Sequence, residues 1–191
     1  TQCFFKQMGG YDSTGTFKNY LYITNGTDNL TRYNGSTLET YSSISAPTGL
    51  TASLVASGLS SGTFTYYAQV TAINAVGETV GSTEASITCN KKRDTWVAAT
   101  DKGIAWSWSA ASGAIRYQLY VSDESGKEQL LSSTTNVNFT DDGSVQINPY
   151  VEPPLQNTTG APKFKSVTVS NNRIWATNDP NSLYTVYFSG T

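Results

Sequence analysis

The sequence predicts an all-β protein, and three observations support this fold class. Charged residues make up 14% of the chain, against about 25% in an average soluble domain, while Thr, Ser, Asn, Gly and Tyr are abundant. Apolar and polar residues alternate with a period of two in several short runs, which is typical of half-buried strands. Asn-Gly pairs at 25–26 and 34–35 separate such runs, and this dipeptide favours a tight hairpin turn.

Both ends of the chain carry patterns typical of a β-meander. We expect strands over 19–24, 30–33 and 36–41, with the two Asn-Gly pairs between them. Three more strands are expected over 164–169, 173–177 and 183–188, again separated by polar turns. Successive antiparallel strands of this kind build extended sheets and propeller blades.

The stretch 65–89 predicts two longer strands joined by a turn at 74–78. Alternate residues of a strand lie on the same side. The residues expected to share one face of the first strand are Tyr66, Ala68, Val70 and Ala72. The turn contains Asn74, which tolerates left-handed backbone, and Gly77, which has no Cβ.

Three segments in the middle of the chain resemble parts of a fibronectin type III domain. The pattern Tyr-x-Ala-x-Val-x-Ala-x-Asn-x-x-Gly from Tyr66 to Gly77 resembles the penultimate strand and turn of that family. Ala-Pro-Thr-Gly-Leu at 46–50 resembles its first strand. The spacing from Trp108 to Tyr117 resembles that between the Trp of its second strand and the Tyr of its third strand. The resemblance implies that the Tyr66 hydroxyl forms a tyrosine corner with backbone in the preceding turn.

These segments occur out of the family's usual order, as in a circular permutation: the first strand, then the last two, then the middle four. The order resembles fibronectin-like modules of tailed-bacteriophage structural proteins. We therefore expect an immunoglobulin-like β-sandwich over 46–150, with Trp108 and Tyr117 buried together. The residues expected around this pair are Ile104, Trp106, Leu119, Val70 and Ala72.

The two ends are expected to form one discontinuous domain, 1–45 plus 151–191, into which the sandwich is inserted. Residues 172–180, followed by 186–190, resemble a propeller-type repeat of phage tail proteins, and so do residues 21–26, followed by 32–35. A strand at 19–24 or 30–33 should then share a sheet with one at 164–169 or 173–177. The proline-rich segment 144–163 is interpreted as an extended linker. The alternative is two unrelated flanking hairpins.

The insertion has a geometric consequence at its two crossing points. Pro47 and Pro149 should lie at the same end of the sandwich, since sandwich termini are often close together. The chain begins in mid-pattern at Thr1 and stops after a strand-like run, so we expect a processed protein or a piece of a longer one.

The sequence contains no histidine, which excludes Ser-His-Asp and Cys-His catalysis and removes the commonest metal ligand. The carboxylates at 123–124 and 141–142 fall in predicted turns, and a calcium site at 141–143 lacks the required ligand spacing. We therefore predict no catalytic, cofactor-binding or metal-binding residue and no enzyme activity. Cys3 and Cys89 favour two unpaired buried thiols over one disulfide.

The charge pattern also excludes several partners. The net charge is −2, and without a basic run we expect no nucleic-acid binding. The cluster 91–94 is interpreted as a solvated linker. No apolar stretch approaches the roughly 20 residues that span a bilayer, so no membrane insertion is expected.

The resemblance implies a non-enzymatic virion structural protein of a phage tail or tail hub. Its expected partners are other virion subunits, in a homo-oligomeric ring that covers the exposed meander edges. The alternative is a carbohydrate-binding or host-adhesin module that contacts surface glycans through exposed aromatic residues. Trp106 and Trp108 are expected in the core, whereas Trp175 and Tyr184 remain candidates for such stacking.

Overall fold

The computed structural model of the chain describes residues 2–11 and 14–189. Strands account for 45% of the chain and helices for 4%, so the all-β prediction is confirmed. The chain divides into two compact units. The flanking unit comprises Thr1–Ser43 and Gly160–Thr191, and the central unit comprises Ile44–Thr159.

The secondary structure of the described residues consists of short strands and two single-turn helices. In chain order the strands are β1 Phe4–Tyr11, β2 Phe17–Thr24, β3 Thr31–Tyr33, β4 Leu38–Thr40, β5 Thr48–Leu54, β6 Phe64–Ile73, β7 Ala85–Cys89, β8 Ile104–Ser109, β9 Arg116–Ser122, β10 Gln129–Thr134, β11 Asn138–Asp141, β12 Ser166–Ser170, β13 Arg173–Thr177 and β14 Tyr187–Phe188. The helices are a 3₁₀ turn, Arg93–Thr95, and α1, Ala98–Asp101. No helix in the described part of the chain has the length and apolarity to cross a bilayer.

The flanking unit contains two antiparallel meanders, one ordered β1-β2-β3-β4 and the other β12-β13-β14. The hairpin between β12 and β13 turns at Asn171 and Asn172, both with positive φ, as a type I′ turn requires. One core joins the two sheets. Its buried members are Tyr20, Tyr22, Leu30, Ala161, Phe164, Val167, Ile174 and Ala176. The sequence did not predict β1, because Gly9 and Gly10 interrupt its alternation.

Backbone contacts at Phe164 join the two ends of the chain. The Phe164 carbonyl accepts a hydrogen bond from the Gly26 N–H at 2.7 Å and another from the Thr24 hydroxyl. The Ala161 N–H donates to the Tyr41 carbonyl at 3.0 Å. The ends therefore touch, as the insertion hypothesis requires. The prediction of a shared sheet is wrong, because these bonds lie outside the strands and the two ladders remain separate.

The central unit consists of a four-stranded sheet, β7-β6-β9-β10, and a three-stranded sheet, β5-β8-β11. Both sheets contribute to one core, in which the rings of Trp108 and Tyr117 pack edge to face with centroids 5.7 Å apart. Their predicted proximity and burial are confirmed. The predicted neighbours that are also buried in this core are Ile104, Trp106, Leu119, Val70 and Ala72.

The first and last residues of the central unit lie side by side. The Ile44 N–H donates to the Thr159 hydroxyl at 2.9 Å, and the Asn157 side-chain amide donates to the Ile44 carbonyl at 2.7 Å. The Thr158 N–H donates to the Glu78 carbonyl at 2.9 Å. The segment 151–159, which the sequence assigned to the meander, therefore makes these bonds within the central unit.

Pro47 and Pro149 lie at opposite ends of the central unit, so the prediction that they share one end is wrong. Pro47 precedes β5, whose first residue pairs with Ser109 at the end of β8. The Pro149 carbonyl accepts a hydrogen bond from the Gln129 side chain at 3.2 Å. Gln129 pairs with the last part of β9, at Val121, which is one strand length from the loop that follows β8.

Candidate functional site

A buried ion pair ties together strands from the two sheets of the central unit. The Arg93 guanidinium donates to both oxygens of Asp141, at 2.8 and 2.7 Å. The side chains are 13% and 1% exposed. The Arg93 backbone N–H donates to the Tyr66 hydroxyl at 2.7 Å. Because Asp141 ends β11 and Tyr66 lies in β6, Arg93 connects both sheets through one residue.

The cluster 91–94 is therefore not a solvated linker, and that interpretation is wrong. Lys91 forms a second ion pair, with its ammonium 2.6 Å from the Asp101 carboxylate. This hydrogen bond, together with the one from the Val97 N–H, lowers the pKa of Asp101. Lys91 and Arg93 hold carboxylates of their own unit, whereas Lys92 and Asp94 are exposed. The sequence could not reveal these pairs because Asp101 and Asp141 lie outside the local pattern.

The predicted tyrosine corner is displaced to another residue. The Tyr66 hydroxyl has a backbone partner, but that partner is Arg93, beyond the following strand, rather than a residue of the preceding turn. Tyr117 instead accepts a hydrogen bond from the Ala111 N–H at 3.0 Å, six residues upstream. Tyr117 thus has the local geometry that defines the corner. Both tyrosines follow a small-residue turn, so the sequence alone did not distinguish them.

The carboxylates at 141–142 accept hydrogen bonds from the loop that follows them. Asp141 binds Arg93 and also accepts the Gly143 N–H at 3.1 Å. Asp142 accepts hydrogen bonds from the hydroxyl and the N–H of Ser144, which lower its pKa. In residues 2–11 and 14–189, no three His, Cys, Asp or Glu side chains lie close enough to hold a metal ion.

Two other carboxyl groups interact directly at the turn between β9 and β10. Glu84 accepts hydrogen bonds from the Ser125 hydroxyl and the Gly126 N–H, each at 3.0 Å. Glu128 is buried and accepts the same N–H at 3.3 Å. Burial and the neighbouring Glu84 raise the pKa of Glu128, while the hydrogen bond with Glu128 lowers the pKa of Glu84. Both carboxyl groups accept hydrogen bonds from the same Gly126 N–H, and Glu84 also accepts one from Ser125, so the pair holds the turn closed.

Both cysteines are free thiols, as predicted. The prediction that both are buried is wrong for Cys3, which is exposed at the start of the chain. Cys89 is fully buried, and its thiol lies 3.1 Å from the Lys91 carbonyl. Burial raises the pKa of the Cys89 thiol, which disfavours the reactive thiolate.

The flanking unit contains an open cleft of about 730 Å³. Its lining combines polar and apolar side chains and includes one aromatic ring. The lining residues are Phe4, Asn25, Gly26, Thr27, Lys165, Ser166, Asn178, Pro180 and Leu183. The Asn25 amide group is engaged with Asp28 and with the Thr27 and Asp28 N–H groups. The cleft could admit a small molecule with polar groups and an apolar surface, such as a sugar, and Lys165 and Asn178 are among its polar lining residues.

The aromatic residues divide between core and surface. Trp106 and Trp108 are buried in the central core, as predicted. Trp175 is half-buried against Phe188, with ring centroids 5.4 Å apart, and Tyr184 is fully exposed. The large exposed apolar residues of the flanking unit are Phe5, Tyr11, Phe17, Tyr33, Leu38, Leu183, Tyr184, Val186 and Phe188. Most of them lie on strands, and they make the flanking unit the best candidate for an interaction surface.

No protein-family model matches the chain, and none of the curated proteins searched matches it.

Proposed function

We propose that this chain is a non-enzymatic structural protein of a tailed-phage virion, acting as an assembly component of the tail or tail hub. The observation that carries the proposal is the exposed apolar surface of the flanking unit, on two open sheets. Open sheets with exposed apolar residues are a liability in a free monomer, and natural proteins cover them with other strands or subunits. The proposed partners are other virion subunits, including further copies of the chain.

The strand order of the central unit supports the fibronectin-like part of the proposal. One sheet contains the first strand, β5, beside β8 and β11, and the other contains β6 and β7 beside β9 and β10. This is the arrangement expected if β5 is the first strand of the family, β6 and β7 are its last two, and β8 to β11 are its middle four. In this interpretation the module is a permuted fibronectin type III sandwich.

The flanking unit supports the propeller-like part. A propeller blade is a four-stranded antiparallel meander, and β1 to β4 form such a sheet in chain order. The three-stranded meander β12 to β14 packs against it through a shared core. In a propeller each sheet packs face to face against the next, and the core that these two sheets share supports such an arrangement.

The experiment that tests the proposal measures the mass of the purified chain in solution. Sedimentation velocity from 1 to 100 µM should show self-association that increases with concentration, since the exposed sheets need covering. A chain that stays monomeric throughout this range, and that also fails to bind other subunits of a tail, would contradict an assembly role.

A second candidate function, carbohydrate binding at a host surface, is favoured by the cleft and by the fully exposed Tyr184. A glycan array with the intact chain tests it directly. Specific binding that is lost in Lys165→Ala and Tyr184→Ala, but kept in Tyr150→Ala on the central unit, would favour the adhesin. The assembly proposal predicts no such signal.

A further inference from the structure

One face of the four-stranded sheet in the flanking unit is apolar and solvent-exposed. Directly opposed residues of an antiparallel ladder project from the same face. Tyr11 pairs with Phe17, and Tyr33 pairs with Leu38; Phe5 lies an even number of residues before Tyr11 on the same strand. We call these five side chains the apolar face: Phe5, Tyr11, Phe17, Tyr33 and Leu38. Their exposed fractions range from 38% to 66%.

This face differs from an ordinary solvated sheet surface. None of the residues that the ladder places on it is charged; besides the five, they are Gln7, Gly9, Asn19, Leu21, Ile23, Thr31 and Thr40. The opposite face already contributes Tyr20 and Tyr22 to the core. An antiparallel sheet normally buries one face and wets the other with polar residues. Here the solvent-exposed face carries no charge and is mostly apolar, which indicates that a partner covers it.

The apolar face is also organised as a surface. The Phe17 ring lies over Gly9, since a Cβ added at Gly9 would fall 2.3 Å from the ring. The Tyr11 ring meets Phe17 edge to face, with centroids 5.5 Å apart. Gly9 therefore allows an aromatic ring to lie across the strand.

A complementary surface exists on the other sheet of the same unit. On the side of β13 and β14 away from the core, Trp175 pairs with Phe188. The Arg173 guanidinium lies over the Phe188 ring, 5.3 Å from its centroid. We call these three side chains the cationic face. Arg173 is half-buried. A guanidinium is attracted to the faces of aromatic rings, and the apolar face presents aromatic rings without any charge.

We propose that the apolar face of one copy packs against the cationic face of a second copy. This inference rests on the proposed assembly function and names its contact surface. The two sheets already pack on each other through their inner faces within one chain, so the contact repeats a sheet pairing that the unit uses. Because the two faces are different, the contact is head to tail, and it generates a ring if the rotation closes or a filament if it does not.

The size of the apolar face sets the strength of one contact. A large side chain has an accessible area of about 200 Å². Multiplied by the exposed fractions of the five side chains, this gives an exposed area of roughly 550 Å² for the apolar face. A stable binary interface buries about 800 Å² on each partner. A single contact should therefore be weak, and the assembly should persist because each internal subunit makes two contacts.

The test uses two complementary variants. Phe17→Lys with Leu38→Lys places charge on the apolar face, and Phe188→Lys places charge on the cationic face. Each variant alone should weaken self-association at least tenfold in sedimentation velocity, whereas the matched control Leu155→Lys, on the central unit, should match the wild type. An equimolar mixture of the two variants retains one intact pair of faces and should form a heterodimer at about 100 µM, but no larger species.

Cross-linking gives a second readout that does not depend on charged variants. In a Cys3→Ser background, where Cys89 stays buried, Gln7→Cys on the apolar face should couple to Thr168→Cys, beside Trp175. The test uses a mixture of the two chains, each with one exposed cysteine, treated with a short bismaleimide. Ser86→Cys on the central unit is the control and should not couple. Circular dichroism checks that each variant folds.

The outcomes separate the two proposals. If a variant with both faces charged associates as well as the wild type, or if the two variants neither rescue each other nor cross-link, the head-to-tail contact is overturned and the assembly function still stands. A wild-type chain that never associates, with itself or with other tail subunits, would overturn both.

Discussion

The ion pair between Arg93 and Asp141 gives the sharpest prediction about stability. Arg93→Met removes the guanidinium but keeps the backbone N–H that donates to Tyr66. The Asp141 carboxylate, 1% exposed, then keeps only the Gly143 N–H as a hydrogen-bond donor among the bonds described above. Breaking one partner of a buried pair costs about 3–5 kcal/mol, which for a unit of this size lowers the melting temperature by roughly 10–20 °C.

The double variant Arg93→Met, Asp141→Leu should be more stable than Arg93→Met alone. Replacing a buried pair by apolar residues is often neutral or stabilising. The Gly143 N–H then loses its acceptor, at about 1–3 kcal/mol. We therefore expect the double variant to lie about 1–3 kcal/mol below the wild type. The difference in unfolding free energy between the double variant and Arg93→Met measures the cost of burying the unpaired Asp141 carboxylate.

The assay is urea unfolding followed by tryptophan fluorescence in a Trp175→Phe background. Three tryptophans remain, and all lie in the central unit, so the signal reports on that unit alone. The control is Lys92→Met, on the same turn. If Arg93→Met cost less than about 1 kcal/mol, or if the double variant were the least stable of the three, the carboxylate would be solvated and the argument from burial would be refuted.

Three further predictions concern other groups. Tyr117→Phe removes the corner hydrogen bond and should lower the unfolding free energy of the central unit by about 0.5–1.5 kcal/mol; an unchanged urea midpoint would contradict it. The raised pKa of Glu128 contributes stability below its ordinary value of 4.5 that is lost as pH rises, and the lowered pKa of Glu84 contributes stability that is lost as pH falls below 4.5. The contribution of this pair to the stability of the central unit should therefore be greatest near pH 4.5, and Glu128→Gln should flatten the decline above that pH in urea titrations. With a thiol reagent, the native chain should react rapidly at Cys3 only, and Cys89 should react only after denaturation; rapid reaction of both would contradict the burial of Cys89.

The sequence predicted strands and faces well because both follow from a two-residue period. The alternation around Trp108 and Tyr117 placed both side chains in the core, and the structure agrees. The period does not identify the partner of a polar group. Arg93 and Asp141 are 48 residues apart, and nothing in the local pattern links them, so the cluster at 91–94 was interpreted as solvated.

The candidate interaction surface was only partly predictable. The meander strands β2 and β3 were expected, but β1 was not, since Gly9 and Gly10 break its pattern. Without β1 the apolar face cannot be assembled, because Phe5 and Tyr11 have no place in a sheet. Gly9 counted against a strand in the sequence, whereas in the structure it accommodates the Phe17 ring.

The insertion of the central unit has a consequence for synthesis on the ribosome. The first sheet is complete once residue 40 has emerged, but Phe164, which supplies part of its core, follows the whole of Ile44–Thr159. At about 5–20 residues per second, Tyr20 and Tyr22 of the nascent sheet stay uncovered for roughly 6–25 s. During that interval the central unit can fold alone. Its folding brings Ile44 and Thr159 together, so Phe164, five residues further on, emerges close to the first sheet. A translational pause within 44–159 would lengthen this exposure and should increase aggregation of the nascent chain.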